Sequence, residues 1–195
     1  AEMKRLAEKD DYEVESELKS SRNKLLSKYV IQSPPKALGS GQVGFLNLGN
    51  TCFISAIFQA LLCCPELIGY FFAPNFPWTR DLNPLTSVMQ GKLAVEFYQL
   101  MCEYWSKKSS PDNTIDLTNI HKMIAKVNKQ LEDFSQHDAQ EFLAFFLDAL
   151  HEDLNKIIGR RYEPVPDWKG QPRAQYSKIL DNLLLLFQFL LTDIA

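Results

Sequence analysis

The sequence has 195 residues, of which 46% are hydrophobic and 12% aromatic, a composition typical of one folded domain. Its 21 basic and 24 acidic residues give a formal net charge of -3, which excludes a strong field steering the protein toward nucleic acid or an anionic membrane. The four cysteines and three histidines lack the spacing of zinc ligands, so we expect no metal site and no cofactor.

The expected cellular compartment follows from the thiols and from the first residues. The chain opens on a charged run, residues 1–10, and shows no apolar segment of the signal-peptide type. Free thiols in such a protein indicate a reducing compartment, so we expect the cytoplasm or the nucleus. The apolar stretch 179–191 would span only about 20 Å as a helix, against roughly 30 Å of bilayer core, so we expect no membrane span.

The first 42 residues are predicted to lie outside the main fold. Between residues 3 and 29, four leucines are spread thinly among charged side chains, which favours a solvated leader, either an exposed helix or a loosely held arm. Proline and glycine clusters at 33–35 and 39–41 then indicate a linker. We therefore divide the chain into a leader and linker (1–42), a folded domain (43–168) and a divergent apolar tail (169–195).

The folded domain is predicted to be mainly α-helical. Apolar residues recur at helical spacing over 52–64, 88–105 and 116–130, and residues 70–84 are predicted to form a loop. Thr51 is the predicted N-cap of the first of these helices, and Pro65 ends it. We find no pattern that predicts a strand.

A fourth helix has the strongest pattern, with apolar residues at helical spacing from Phe142 to Ile157. Ser135 and Asp138 before it resemble a capping box, with Asp in place of the usual Glu. Gly159 is the predicted C-terminal stop. These periodicities predict a domain of four to five helices, and by themselves they predict no function.

One cysteine has a sequence environment suited to catalysis. Cys52 lies at the first turn of a predicted helix, where unpaired backbone N–H groups and the helix dipole stabilise a thiolate, the nucleophilic form. Gly49 and Asn50 before it allow a sharp turn, whose N–H groups can hold the oxyanion formed when a thiolate attacks a carbonyl. Acyl-transfer cysteine enzymes need this arrangement. Spacing alone, however, favours the alternative that Cys52 is a small buried hydrophobe.

Two separate segments resemble the ubiquitin-specific proteases. Residues 44–53, Gly-Phe-Leu-Asn-Leu-Gly-Asn-Thr-Cys-Phe, with Gln59 and Leu61 beyond, are similar to the cysteine box of that family. Residues 134–143, Phe-Ser-Gln-His-Asp-Ala-Gln-Glu-Phe-Leu, and their continuation to Asn155 are similar to its second box. The two boxes occur in the family's order, and together they favour a nucleophile at position 52 over a buried hydrophobe.

The resemblance implies a fold and individual roles. The fold is the helical, thumb-like subdomain of a papain-like cysteine protease, with the β-rich palm and fingers absent. Cys52 matches the nucleophile that attacks the carbonyl of ubiquitin's C-terminal glycine, and Asn47 matches the side-chain donor to the oxyanion. Gln136 and Asp138 match residues that hold ubiquitin's basic tail, for which a carboxylate is suited. The alternatives are a turn residue for Asn47 and helix-end charge complementarity for Asp138, and the latter is compatible with tail binding.

None of the three histidines matches the family's general base. His137 occupies a position where the family has Gln or His and where the residue is not the base. His151 is predicted on a solvated helix face. His121 lies at the start of a predicted helix, and the sequence indicates no partner for it. The family places its base far downstream, yet the sequence has no histidine after His151. General-base assistance typically contributes about 10²–10⁴-fold, so we expect the chain taken alone to be nearly inactive. In a further departure from the family's cysteine box, Ser55 and Ala56 occupy the positions where the family usually has an Asn-Ser pair.

Three functions are therefore compared. The first is a thiol-dependent deubiquitinase, present as a partial domain without its catalytic histidine, whose partners are ubiquitin and ubiquitinated proteins. The second is a catalytically inactive ubiquitin-binding fragment or interaction module. The third is an unrelated helical interaction domain, which would require the resemblance of both boxes to be a coincidence. The sequence does not encode the ubiquitin linkage, the substrate or the oligomeric state in any recognisable pattern.

Overall fold

Helices make up most of the fold in a computed structural model that describes residues 5–6, 9–107, 114–132 and 135–156. The helices with defined bounds are α1 (Asp11–Leu26), α2 (Cys52–Leu62), α3 (Pro65–Phe71), α4 (Trp78–Asp81), α5 (Lys92–Ser106), α6 (Thr118–Val127) and α7 (Ala139–Asp153). A 3₁₀ turn, Lys129–Leu131, follows α6. The predicted mainly α class is confirmed.

Two short strands, which the sequence did not predict, are also present. Strand β1 (Gly44–Phe45) pairs in parallel with β2 (Thr114–Ile115), so that Gly44 lies opposite Thr114 and Phe45 opposite Ile115. Two residues are too few to show the alternation that identifies a strand in a sequence. The pairing matters for function because β1 lies immediately before the loop that carries Asn47.

Several helix ends differ from the prediction for local reasons. Helix α5 begins at Lys92 rather than near residue 88, because Gly91 before it has a left-handed backbone with φ 76°. Pro65 ends α2 as predicted, but it also starts α3, since the first turn of a helix tolerates a residue without an N–H. The predicted loop 70–84 is therefore wrong in part, because it contains the end of α3 and all of α4.

Helix α7 is capped differently from the predicted capping box. Asp138 is itself the N-cap, and its Oδ1 accepts hydrogen bonds from the backbone N–H groups of Gln140 and Glu141 at 2.6 and 3.4 Å. The helix therefore begins at Ala139 and Ser135 lies outside it. Its described end is Asp153, and the predicted stop at position 159 lies outside the described residues.

The core lies where α2, α5 and α7 pack together. The ring of Phe58 on α2 lies 5.0 Å from that of Phe146 and 5.8 Å from that of Phe142, both on α7. Phe97 on α5 lies 5.3 Å from Phe146. All four rings are buried, so aromatic packing fixes the position of α2, the helix that begins with Cys52.

The expectation that residues 3–29 form a solvated leader is wrong for their apolar side chains. Buried among them are Leu6, Val14, Leu18 and Leu25. Leu25 belongs to the main core, and Arg22 Nε donates to the backbone carbonyl of Leu82 at 2.6 Å. The burial that lowers the pKa of Arg22 shows how closely α1 approaches that carbonyl. Sequence patterning missed this docking because the partners of α1 lie far along the chain.

This docking gives a test of the leader's contribution to stability. We expect Leu25→Ala to lower the free energy of unfolding by roughly 2–3 kcal/mol, because the side chain is lost from the edge of the core. The matched control is Tyr12→Ala on the same helix, where the side chain is 81% exposed and the expected change is within about 0.5 kcal/mol. Urea denaturation measures both. Equal stabilities for the two variants would contradict the docked arrangement.

All described residues belong to one compact unit, residues 1–159, and the predicted apolar tail (169–195) lies outside them. Within the described part of the chain, no single helix is both long and apolar enough to cross a membrane. Helices α2 and α3 together are long and apolar enough to cross one, but the chain bends by 73° between them. Its residues Phe53, Ile54, Phe58, Leu62 and Phe71 are part of the core described above.

Candidate active site

Cys52 is the first residue of α2, and its side chain is exposed. Thr51 occupies the N-cap position, as predicted, but its side chain makes no capping hydrogen bond. Its Oγ1 instead accepts from Leu48 N at 3.1 Å and donates to Asn47 Oδ1 at 3.2 Å. The start of α2 therefore keeps uncapped N–H groups beside an accessible thiol, and Cys52 is not a small buried hydrophobe.

The loop of residues 46–51, here named the cysteine loop, joins β1 to α2 through a sharp turn. Gly49 and Asn50 both have positive φ, 109° and 49°. Glycine adopts such backbone readily, and asparagine does so more easily than most residues. The sharp turn expected from these residue types is present, and it brings Asn47 back toward the start of α2.

Asn47 is oriented by hydrogen bonds within the cysteine loop. Its Oδ1 accepts from Gly49 N at 3.0 Å and from Thr51 N at 3.4 Å. Because both partners are backbone donors, the oxygen of the amide must face them and the Nδ2 group must point the other way. Within the described residues, Nδ2 takes part in no hydrogen bond. Asn47 therefore acts as a turn residue, and its role as donor to an oxyanion stays a prediction.

The second box supplies a carboxylate at the start of α7. Asp138 is exposed and uses Oδ1 to cap the helix, while its Oδ2 makes no hydrogen bond with any described residue. Gln136 is exposed two residues earlier. A shallow cavity of about 300 Å³ is lined by Asp138, Gln140, Glu141 and Ala144. Helix-end charge complementarity is therefore present at Asp138, and one carboxylate oxygen remains for a ligand.

The fold brings the two boxes into contact. The ring of Phe53, the residue after Cys52, lies 5.3 Å from the His137 ring and 5.5 Å from Phe142. Helices α2 and α7 pack along each other behind this contact. The starts of α2 and α7 are therefore close together, and a shared site for Cys52, Gln136 and Asp138 stays a prediction.

The histidines have structural surroundings of different kinds. His137 Nε2 lies 2.9 Å from Ser135 Oγ, and its ring packs edge-on against Phe53. His121 is buried in α6 and interacts with other residues, so the expectation that it lacks a partner is wrong. His151 is exposed on α7. Among the described residues, none donates or accepts a hydrogen bond at the Cys52 thiol.

The predicted departures from the cysteine box are accommodated locally. Ser55 Oγ donates to the carbonyl of Thr51 at 3.2 Å, one turn earlier in α2, and Ala56 is exposed. Within the described ranges, no group of three or more His, Cys, Asp or Glu side chains is arranged to hold a metal ion.

Asp153 is buried, although His151, two residues earlier, was predicted on a solvated face of the same helix. Its Oδ1 accepts from Ser87 Oγ and from Gly91 N at 2.9 Å, and its Oδ2 accepts from Leu93 N at 2.8 Å and Ala94 N at 3.1 Å. The carboxylate at the end of α7 thereby caps the start of α5. Burial raises the pKa of Asp153, and these hydrogen bonds oppose the rise. The spacing Phe146, Leu150, Asp153 was the available signal, because these positions share one helix face.

An exposed thiol at the first residue of a helix, preceded by a sharp turn that contains Asn47, is compatible with the nucleophile predicted from the two boxes. A family model for ubiquitin carboxyl-terminal hydrolases matches residues 43–193. The chain belongs to the ubiquitin carboxyl-terminal hydrolase family, among its ubiquitin-specific proteases, and corresponds to the N-terminal part of their catalytic domain. The resemblance stated from the two boxes is confirmed.

Individual relatives agree with this assignment. The chain is similar to putative ubiquitin carboxyl-terminal hydrolase 11 of Arabidopsis thaliana, with 39% identity over 138 residues, covering 71% of this chain and 15% of the relative. Ubiquitin carboxyl-terminal hydrolase 8 of the same plant is 36% identical over 131 residues, covering 67% and 14%. Human ubiquitin carboxyl-terminal hydrolase 19 is 36% identical over 133 residues, covering 68% and 10%. The chain thus spans only a small part of the length of each relative.

Proposed function

We propose that this chain carries the nucleophile and oxyanion-binding part of a cysteine-type deubiquitinase, which releases ubiquitin from protein conjugates. The observation that supports this most strongly is the exposed Cys52 at the uncapped start of α2, with the Asn47 amide held in the preceding loop. Family membership supports the substrate class, ubiquitin and ubiquitinated proteins. The cytoplasm or the nucleus is the proposed compartment, because the reaction requires a free thiol.

The proposed reaction proceeds through a thioester. The Cys52 thiolate attacks the carbonyl carbon of ubiquitin's C-terminal glycine, forming the S–C bond and a tetrahedral oxyanion. The Asn47 Nδ2 group and the N–H groups at the start of α2 donate to this oxyanion. As the oxyanion collapses, the C–N bond breaks and the departing amine takes the proton that the thiol gave to the general base. Water then hydrolyses the thioester and regenerates the thiol.

A general base is the part of this reaction that the described residues do not supply. We propose that the 195 residues form a partial, thumb-like domain that lacks the activating histidine, since they cover only a small part of their relatives' length and none of their three histidines matches the family's general base. The alternative function, an inactive ubiquitin-binding module, is favoured by the same observation. The two proposals differ in whether the Cys52 thiol reacts with the end of ubiquitin.

A ubiquitin derivative with a thiol-reactive group at its C-terminus tests this difference. We expect it to form a covalent conjugate with the wild-type chain and with Cys64→Ala, and no conjugate with Cys52→Ala. Cys64→Ala is a suitable control because its thiol is also partly accessible but lies beyond the end of α2. Denaturing gel electrophoresis separates conjugate from free chain. Equal labelling of wild type and Cys52→Ala would reject the deubiquitinase proposal.

Asp138 is proposed to bind an arginine of ubiquitin's tail through Oδ2 while Oδ1 caps α7. The variant Asp138→Asn separates these roles, because asparagine caps a helix as well as aspartate does but has no charge. We expect unchanged stability with weaker ubiquitin binding for Asp138→Asn, and about 1 kcal/mol lower stability with equally weak binding for Asp138→Ala. Calorimetric titration and thermal unfolding measure the two properties. Wild-type affinity in Asp138→Asn would argue against the arginine contact.

A further inference from the structure

Two side chains outside the cysteine loop hold the backbone that leads into it. Gln59 Nε2, on α2, donates to the carbonyl of Val43 at 2.7 Å. The hydroxyl of Tyr104, on α5, lies 2.6 Å from the carbonyl of Gly41 and 2.9 Å from Gln59 Oε1. Helices α2 and α5 are thereby joined to the stem of residues 41–43, just before β1.

Packing fixes the next residues of the same stem. The ring of Phe45 is stacked on Tyr104 at 6.1 Å and lies edge-on to Phe58 at 6.5 Å. Leu46 N donates to the carbonyl of Ile115 at 2.9 Å, which continues the β1–β2 pairing into the cysteine loop. The entry to the loop is therefore held by Tyr104 on one side and by β2 on the other.

Tyr104 is suited to hold a backbone carbonyl in this place. Its side chain is fully buried, and burial raises the pKa of the phenol, so the hydroxyl stays protonated and able to donate at neutral pH. Without the Tyr104 hydroxyl, the part-buried carbonyl of Gly41 would lose its hydrogen-bond donor, at a net cost of about 0.5–1.5 kcal/mol. The contact therefore favours one position of the stem.

We propose that Gln59 and Tyr104 are positioning residues that fix the location of the Asn47 amide relative to the Cys52 thiol. Asn47 lies near the start of the cysteine loop and Cys52 directly follows its end, so the distance between them depends on where the stem is held. Displacements of about 1 Å in a catalytic group can cost on the order of 10²-fold in rate. This inference rests on the proposed function, because it concerns the same oxyanion site.

Ubiquitin aldehyde gives a readout that is specific for the oxyanion site. The Cys52 thiol adds across the aldehyde C=O group, forming an S–C bond and placing the thiol proton on the oxygen that Asn47 would contact. Unmodified ubiquitin, with its C-terminal carboxylate, makes no such bond. A positioning defect should weaken binding of the aldehyde and leave binding of ubiquitin unchanged, whereas general destabilisation would affect both.

The test variant is Tyr104→Phe, which removes the hydroxyl and keeps the ring. We expect roughly five- to tenfold weaker aldehyde binding, ubiquitin binding within about twofold of wild type, and little additional loss when Asn47→Ala is combined with it. The matched control is Tyr98→Phe, a buried tyrosine on the same helix whose hydroxyl donates to the carbonyl of Gln32. We expect wild-type aldehyde binding for the control.

The outcomes separate this inference from the proposed function. If Tyr104→Phe binds the aldehyde as tightly as wild type, the positioning role is overturned. It is also overturned if the losses of aldehyde affinity caused by Tyr104→Phe and Asn47→Ala multiply fully in the double variant. If the wild-type chain binds ubiquitin aldehyde and ubiquitin with equal affinity, the proposed function fails. The positioning role is then tested by the hydrogen-exchange rates of the Gly49 and Thr51 backbone amides. Faster exchange in Tyr104→Phe but not in Tyr98→Phe supports it, and equal exchange in both rejects it.

Discussion

Replacing Asp153 by alanine should lower the free energy of unfolding by about 3–5 kcal/mol, the largest stability effect we expect from a single substitution. The variant leaves Ser87 Oγ and the backbone N–H groups of Gly91, Leu93 and Ala94 without their acceptor in a site closed to water. Each unsatisfied buried donor costs about 1–3 kcal/mol, and the removal of a carboxylate that was costly to bury offsets part of the sum over four donors.

Thermal and urea unfolding of Asp153→Ala measure the effect, and Asp148→Ala is the matched control. Asp148 is an exposed aspartate on the same helix, for which we expect a change within about 0.5 kcal/mol. The comparison removes the contribution of helix propensity, which is equal in the two variants. If Asp153→Ala lowers the free energy of unfolding no more than Asp148→Ala does, the Asp153 carboxylate does not join α7 to α5.

The second large effect concerns the missing general base. We expect the 195-residue chain to hydrolyse a ubiquitin C-terminal amide about 10²–10⁴-fold more slowly than a product of the same gene extended past Ala195 to include a histidine-bearing segment. The reason is that no described residue forms a hydrogen bond with the Cys52 thiol through which it could accept the thiol proton. Sequencing the transcript past Ala195 shows whether a histidine-bearing segment follows, and the product with that segment is the extended protein of this comparison.

A side-by-side assay of the two proteins at one pH measures the ratio of their turnover rates. Added imidazole, a soluble base, should accelerate the reaction of the 195-residue chain and have little effect on the extended protein. Equal turnover by both proteins would mean that the base lies among the 195 residues. Absence of turnover in both would favour the inactive ubiquitin-binding module.

The sequence predicted the features that depend on near neighbours along the chain. The helical spacing from Phe142 onward identified α7, and Gly49 and Asn50 correctly predicted a sharp turn before a helix that starts at Cys52. Both depend on residues within about one or two helical turns of each other. Spacing alone favoured a buried Cys52, and only the two family boxes favoured a nucleophile there. The roles of Asn47, Gln136 and Asp138 came from the family resemblance, and they stay predictions until binding is measured.

Features that depend on distant partners were not predictable from spacing. Asp153 lies beside charged residues in the sequence, but its donors come from the start of α5, so its burial is decided by tertiary packing. Arg22 and Leu25 likewise meet Leu82 and the core far along the chain, which is why α1 was expected to be solvated. Strand β1 was missed because its parallel partner is remote and both are only two residues long.

The most direct test of the central claim is to identify which cysteine the end of ubiquitin modifies. The wild-type chain is conjugated with a thiol-reactive ubiquitin derivative, digested, and the modified peptide sequenced by mass spectrometry, with all four thiols competing in one molecule. The account predicts modification at Cys52, with Cys63, Cys64 and Cys102 unmodified at the time half of the chain has reacted. Conjugation distributed over the exposed cysteines, or concentrated at Cys63, would contradict it.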